Sequence, residues 1–318
     1  MFSIIIPIYN KFPHLDRSIN SVLNQKFGEW ELILVDDGSS DGSFEKAKSY
    51  TDKRIRVFQR KQPGPGGYAA RNLGIAKAKY DWVAFLDADD EWMDHHLITF
   101  LELINYQPEA KILSTSWTDN FEENKEGRFF PNTYNKRHHS KGIHEIDLKK
   151  FLKNSIDGAP PFWTGALGFR TELLKEIGGF PEGRCKRGGD VDTWLRAIFY
   201  GELAIWSPEL TVVYHRDSVN MVTKVEGFEL GCESTTVQKL ASLTIDDQVS
   251  SLLYKFLNAR VVSRWLQTLR VGKNPDSLWG KVKWKHLTKK GLVITFWSIL
   301  PSSVTKQLYR LISKGKYD

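Results

Sequence analysis

The sequence predicts an α/β fold: an open, mostly parallel sheet flanked by helices, with a helical extension at its C-terminal end. Three observations predict it. Short apolar runs alternate with segments of helical spacing over roughly the first 120 residues. Two of those runs end in acids, "LILVDD" and "VAFLDADD", at the place where open parallel sheets bind ligands. Beyond about residue 220 strand signals stop, and Leu252, Leu253, Phe256, Leu257, Val261, Trp265 and Leu269 mark one broad helical face.

The elements follow in order. "FSIIIPI" (2–8) is a continuous apolar run and reads as a buried strand. With Pro7 inside it and no basic leader before it, the start is expected to be a strand and not a signal peptide. Pro13 opens a helix carrying Leu15, Ile19, Val22 and Leu23. "WELILVDD" (30–37) is a second buried strand, and "SSDGSFEKAKSY" (39–50) a polar helix that begins with good capping residues. "RIRVFQR" (54–60) is a third strand. The turn "PGPGG" (63–67) leads to a helix over 68–79, "DWVAFLD" (81–87) is a fourth strand, and "HHLITFLELINYQ" (95–107) is helical. "AKILSTSW" (110–117) is another strand.

Residues 118–145 are polar and rich in turn formers, so a surface excursion or flap is expected there. The segment 160–183 reads as a strand or turn, then a short helix closed by Gly178 and Gly179. "DVDTWLRAIFYG" (190–201) reads as a helix, and "ELAIWSPELTVVYHR" (202–216) as two short strands. A domain boundary belongs between 217 and 245.

A formal charge of +7 and a pI near 9.1 admit anionic partners. The basic residues concentrate in "GKVKWKHLTKK" (280–290), and the longest apolar stretch near it, "GLVITFWSIL" (291–300), is half of the ~20 residues a membrane span needs. Two cysteines far apart form no CxxC metal pair.

Four carboxylates crowd into five residues at Asp87, Asp89, Asp90 and Glu91. An extended backbone would point Asp87 and Asp89 to one side, where a hard divalent cation relieves their repulsion and substrate phosphates complete its shell. The alternative is a solvated turn, with Asp90 capping the next helix. Asp36 and Asp37 either cap the following helix or accept a nucleobase N–H beside Tyr9. The glycines of 63–67 are either a plain turn or a phosphate cradle completed by Arg71. Asp190 and Asp192 stand in the first turn of a helix, where acids also serve as cap and dipole partners.

Taken together, "SIIIPIYN", "LILVDDGSSDGS", "GYAARNLGIAKAKYDWVAFLDADD", "WTGALGFRTELLKEIGGF" and "GDVDTWLRA" resemble glycosyltransferase family 2, inverting enzymes with the GT-A fold. The match covers roughly residues 2–217. The resemblance implies a catalytic domain over 1–220, with a nucleotide-binding half (1–117) and an acceptor and catalytic-base half (118–220); the region 221–318 lies outside the resemblance and reads as mainly helical from its own pattern. The resemblance also implies a metal-dependent hexosyl or glycosyltransferase that uses a nucleotide-sugar donor, UDP-linked above all. The acceptor would be a glycan or lipid-linked saccharide in bacterial surface polysaccharide synthesis.

Carried over residue by residue, Ile8 and Tyr9 border the base and Asp37 hydrogen-bonds it. Arg71 and Asp87 lie at the donor, Asp89 of the DxD motif ligates Mn²⁺ or Mg²⁺, and Asp190 is the catalytic base. One position departs from the family, which usually has an acid before the base where this chain has Gly189. His215 is either a core residue or one that closes the donor site.

Rival functions fit less well. A receiver domain needs an aspartate after the third strand, which here ends "FQRKQPG". A nucleotidyltransferase, or a binder of nucleotide sugars without transfer, shares the architecture, yet "PIYNKFPHLD" lacks the former's glycine-rich basic loop. Nucleic acid is not an expected partner, because acids dominate the cleft. The expected location is the cytoplasm. For 279–300, with Trp279 and Trp284 among lysines, peripheral contact at the inner face of the plasma membrane and packing on the catalytic core are both open.

Overall fold

β1 (Phe2–Ile8) is buried at every position except Pro7, as its unbroken apolar sequence requires of a strand covered on both faces. After α1 (Leu15–Leu23), β2 (Trp30–Asp36) pairs parallel with it. α2 (Ser43–Lys48) then leads to β3 (Ile55–Gln59), parallel outside β2. α3 (Tyr68–Lys77) crosses back to β4 (Trp82–Phe85), parallel to β1 on its other side. β2 and β4 thus flank β1, and their acidic ends face one crevice. The structure, a computed structural model, describes residues 1–120, 130–216 and 231–314.

The second half completes a mixed sheet. β5 (Glu91–Trp92), α4 (His96–Tyr106), β6 (Ile112–Asn120), β7 (Phe130–Pro131), α5 (Thr133–His138), β8 (His144–Asp147) and α6 (Leu148–Ile156) follow in turn. Then come β9 (Leu167–Arg170), α7 (Thr171–Glu176), α8 (Gly189–Gly201) and β10 (Leu203–His215). The strand order is β3-β2-β1-β4-β9-β6-β10-β5, with β7 on β6 and β8 on β10. Parallel pairing holds through β3-β2-β1-β4 and again for β6 with β10. Between these blocks β9 runs antiparallel to both β4 and β6.

Two sequence expectations change. The two strands expected in 202–216 are the single strand β10, whose register shifts fall between Trp206 and Val212 around Pro208. Proline has no N–H to donate to the ladder, so the strand bulges there and does not break. Part of the expected flap is packed structure: Tyr134 is buried edge-on to Trp206, with its hydroxyl 3.0 Å from His144 Nε2. Asn135 Nδ2 donates to Ser116 Oγ and to the Pro208 carbonyl, which is how a polar stretch sits inside. Residues 121–129 of that excursion, and the boundary segment 217–230, lie outside the described residues.

The chain divides into two units, Met1–Met221 and Val222–Asp318. The second contains α9 (Glu233–Leu243), α10 (Asp247–Arg270), α11 (Lys289–Trp297) and α12 (Ser302–Lys314). Asp246 caps α10 by accepting the N–H groups of Gln248 and Val249, and Trp265 packs edge-on against Trp297. No helix among the described residues is long and apolar enough to cross a membrane.

The closest approach of α3 to the sheet is at Gly74, where an added Cβ would lie 2.5 Å from Ile5 Cγ2. Gly74→Ala is therefore expected to lower unfolding free energy by about 1–3 kcal/mol through overpacking, despite the better helix propensity of alanine. Urea titration measures it.

Candidate functional site

The crevice is built from strand ends. Past β1, Asn10 adopts a left-handed conformation (φ 51°), which asparagine tolerates. Its side chain accepts the Ser40 N–H and its own N–H reaches Ser39 Oγ, so the β1 and β2 loops are tied together. Tyr9 projects outward with 45% of its surface exposed. Ile8 is fully buried in the core cluster, and its carbonyl accepts the Asp37 N–H at 2.7 Å.

The two acids after β2 divide the roles that sequence left open. Asp36 is completely buried and turns the chain, accepting the N–H groups of Gly38 and Ser39 and the Gln59 side chain. The helix α2 starts after Gly42 (φ 88°), and Asp41 before it accepts the Ser43 N–H and hydroxyl. Asp37 is buried at the crevice, where it pairs with Arg60 at the end of β3 and accepts the Gly64 N–H at 2.9 Å. The glycine segment is thus a tight turn anchored on Asp37. Its Gly66 carbonyl accepts Arg71 Nη1 at 2.7 Å.

The acids after β4 lie on a turn, not on an extended strand, since the Asp90 N–H bonds back to the Asp87 carbonyl. Asp87 and Asp89 therefore take different cations. Asp87 Oδ1 is 2.6 Å from Arg71 Nη2, and Asp89 Oδ2 is 2.7 Å from Lys11 Nζ. Arg17 donates to the Asp89 carbonyl at 2.5 Å. Asp90 is not solvated: it is fully buried, with Oδ1 accepting the His215 N–H at 2.9 Å and Oδ2 without a hydrogen-bond partner. Burial, with the Asp89 and Asp87 charges beside it, pushes its pKa well above the usual carboxylate value and favours the protonated acid. Glu91 is 3.1 Å from His215 Nε2, and that hydrogen bond holds its pKa low. His215 is thus a buried tie between β10 and the acidic turn.

Asp190 opens α8 at the opposite wall. Its Oδ1 is enclosed without a hydrogen-bond partner, 3.9 Å from Arg71 Nη1, while the side chain as a whole is 39% exposed. Burial raises its pKa, Arg71 opposes the rise, and the Asp87 charge adds to it. Arg71 is buried across the Phe180 ring. Burial works against its charge, but Asp87 and Asp190 together raise its pKa and keep it a cation. Asp192 is distinct: wholly buried, it clamps Arg196 at 2.6 Å, and Arg196 in turn donates to the Gly179 carbonyl.

The departure at Gly189 has a steric cause. A Cβ there would lie 2.4 Å from the Tyr68 ring, which is buried, stacks on Phe180 and accepts the Gly189 N–H through its hydroxyl at 3.0 Å. Tyr68 thus fills the space beside the residue before Asp190.

No group of three or more His, Cys, Asp or Glu that could hold a metal occurs among the described residues. A divalent ion that binds with a diphosphate needs only one or two protein carboxylates, and Asp89, which pairs with Lys11, fits that smaller donor set.

Structure brings Tyr9, Asp37, Arg71, Asp87, Asp89 and Asp190 to this one end of the sheet. Sequence reasoning missed Lys11, Arg60 and Tyr68. The first two directly follow β1 and β3 and were findable from the rule that ligands gather at such strand ends.

An α/β sheet with acids and an arginine at its carboxyl edge, and a further carboxylate facing them, is a layout that suits a GT-A transferase. The model of the glycosyl transferase family 2 matches residues 3–178, and the chain belongs to that family. The Escherichia coli UDP-Glc:alpha-D-GlcNAc-diphosphoundecaprenol beta-1,3-glucosyltransferase WfgD is 38% identical over 97 residues, covering 30% of this chain and 38% of that protein. The putative teichuronic acid biosynthesis glycosyltransferase TuaG of Bacillus subtilis is 37% identical over 106 residues, 33% of this chain and 42% of TuaG. The chain thus spans less than half the length of these curated relatives. Staphylococcus aureus TarS 1-349, solved in complex with UDP-GlcNAc, superposes with a TM-score of 0.69 over 99% of this chain and 92% of that one. At 17% identity this establishes the shared fold, GT-A with a helical C-terminal part.

Gly189→Ala is expected to displace Tyr68 and cost about 1–3 kcal/mol of stability by overpacking. Gly189→Ala with Tyr68→Ala should recover part of that loss, because the ring is what the new methyl meets. Thermal melts of the single and double variants measure the coupling.

Proposed function

We propose that this chain is an inverting glycosyltransferase that moves a sugar from a UDP-sugar to a hydroxyl of a glycan or lipid-linked saccharide. The observation that carries the reading is the charge chain Asp87–Arg71–Asp190, which joins the acidic turn after β4 to the carboxylate that opens α8. The names of WfgD and of the TarS complex support a UDP-linked donor, and WfgD a lipid-linked acceptor, for this chain.

In this reading Tyr9 offers its exposed ring to the base and Asp37 its carboxylate to a base N–H. Asp87, held by Arg71, sits at the ribose or sugar. Arg71 keeps Asp190 oriented across the donor. Asp190 takes the proton of the acceptor hydroxyl as that oxygen attacks the anomeric carbon from the face opposite the leaving group, so the configuration inverts in a single displacement. Asp89 would hold Mn²⁺ or Mg²⁺ at the donor, and the ion would supply charge neutralisation for the departing nucleotide. Lys11 pairs with Asp89 beside this position.

Asp190→Asn keeps the shape and removes the base. Turnover is expected to fall by about 10²–10⁴-fold, while UDP with Mn²⁺ still raises the melting temperature; near-normal turnover would discard this assignment. The carboxylate must be ionised to accept a proton and its pKa is raised. Turnover per donor therefore climbs as pH rises through a value above the ordinary carboxylate range, and a pH–rate profile locates that limb.

For Asp89→Asn, the thermal shift given by UDP plus Mn²⁺ is expected to disappear, leaving that of UDP alone. An unchanged metal-dependent shift would remove Asp89 as the ligand. A wild-type protein that binds a panel of UDP-sugars but consumes none would instead be a nucleotide-sugar binder.

A further inference from the structure

α11 is apolar on both sides. Ile294 and Trp297 are buried, Trp297 edge-on to Trp265 of α10, which uses one stripe of the helix for packing. Leu292, Val293 and Phe296, continued by Ile299 beyond the helix end, face outward at i, i+1, i+4 and i+7, with exposures from 41% to 67%. Phe296 gathers the exposed Trp279 and Trp284 into one cluster, with ring centroids 4.6–5.9 Å apart. A helix with apolar residues on every side is normally covered on every side.

The surroundings say what chemistry covers it. Between Ser277 and Leu300 there are five lysines and no Asp or Glu. Lys283, Lys285, Lys289 and Lys290 are exposed on the loop and first turn beside the aromatic cluster. Packing this patch on a second copy of itself would set lysines against lysines. Tryptophan, lysine and aliphatic side chains on one face are what a helix lying in a lipid interface presents, and α11, about 14 Å long, lies along such a surface instead of crossing it.

We propose that the outward stripe of α11, the Trp279–Trp284–Phe296 cluster and the adjoining lysines form a surface that adsorbs to an anionic lipid bilayer. The rings and aliphatic side chains enter the headgroup region, and the lysines meet the negative surface. This holds whatever sugar the crevice handles, so its test is independent of catalysis.

The test is flotation of the full chain with vesicles of phosphatidylglycerol and phosphatidylcholine, against phosphatidylcholine alone. The chain should float with the anionic vesicles at low salt, lose binding as salt rises, and stay down with the neutral ones. Each of Lys283→Ala and Lys289→Ala should weaken partitioning about fivefold. Val293→Asp combined with Phe296→Glu should abolish it at an unchanged melting temperature, since both positions point outward. Absence of flotation with anionic vesicles overturns the proposal, and so does undiminished flotation of a folded double variant. If the wild type fails to float and light scattering shows a dimer that the double variant loses, the patch belongs to a second copy and the proposal falls.

Discussion

Arg71 is the charge around which the crevice is organised. A buried guanidinium is tolerable only if carboxylates balance its charge. Here the Gly66 carbonyl and Asp87 accept its Nη protons and Asp190 adds a second carboxylate 3.9 Å away, from three different parts of the chain, while its Nε is buried without a hydrogen-bond partner. The Gly66 carbonyl can face Arg71 because Gly66 and Gly67 both take positive φ, a conformation that side chains resist. Asp87 turns toward Arg71 and away from Asp89 because the chain bends after β4. The position of Asp190 depends on the start of α8, which Gly189 sets by its bond to Tyr68. A single cation on α3 thus stands between two acids from different parts of the chain.

The acids of the crevice resolve into separate duties once their partners are visible. Asp36 and Asp41 accept backbone N–H groups and shape loops, and Asp192 clamps Arg196. Asp90 sits in the interior with one oxygen unsatisfied, and its raised pKa lets it shed the charge that Asp87 and Asp89 would repel. That leaves Asp37, Asp87, Asp89 and Asp190 as crevice acids, the first three each within 2.9 Å of a donor or cation. Five lysines with no acid among them fall between Ser277 and Leu300, so the formal +7 says little about the ligand of the crevice.

The early sheet was legible because β1, β2 and β4 are apolar at nearly every position and separated by helical spacing, a pattern set by burial on both faces. β9 was read only as a strand or turn, since its four residues carry no sign of direction or neighbour. Its antiparallel place depends on Gly168 letting Phe100 approach within 3.0 Å of where a Cβ would stand. The bulge in β10 needed knowledge that three strands, β5, β6 and β8, pair with it at different points.

Sequence by itself determined the βαβ order, the placing of two acidic strand ends on either side of β1, and the acidic residue that opens α8. All of these follow from local periodicity and motif spacing. Tertiary structure decided the partners. That Tyr68 occupies the space beside Gly189, that Asp90 is interior and Asp87 is not, and that Ile8 is core while Tyr9 is open are set by contacts across about 30 to 120 residues of chain. Side-chain charge state and reach depend on what folds against a residue, and no window of local sequence contains that information.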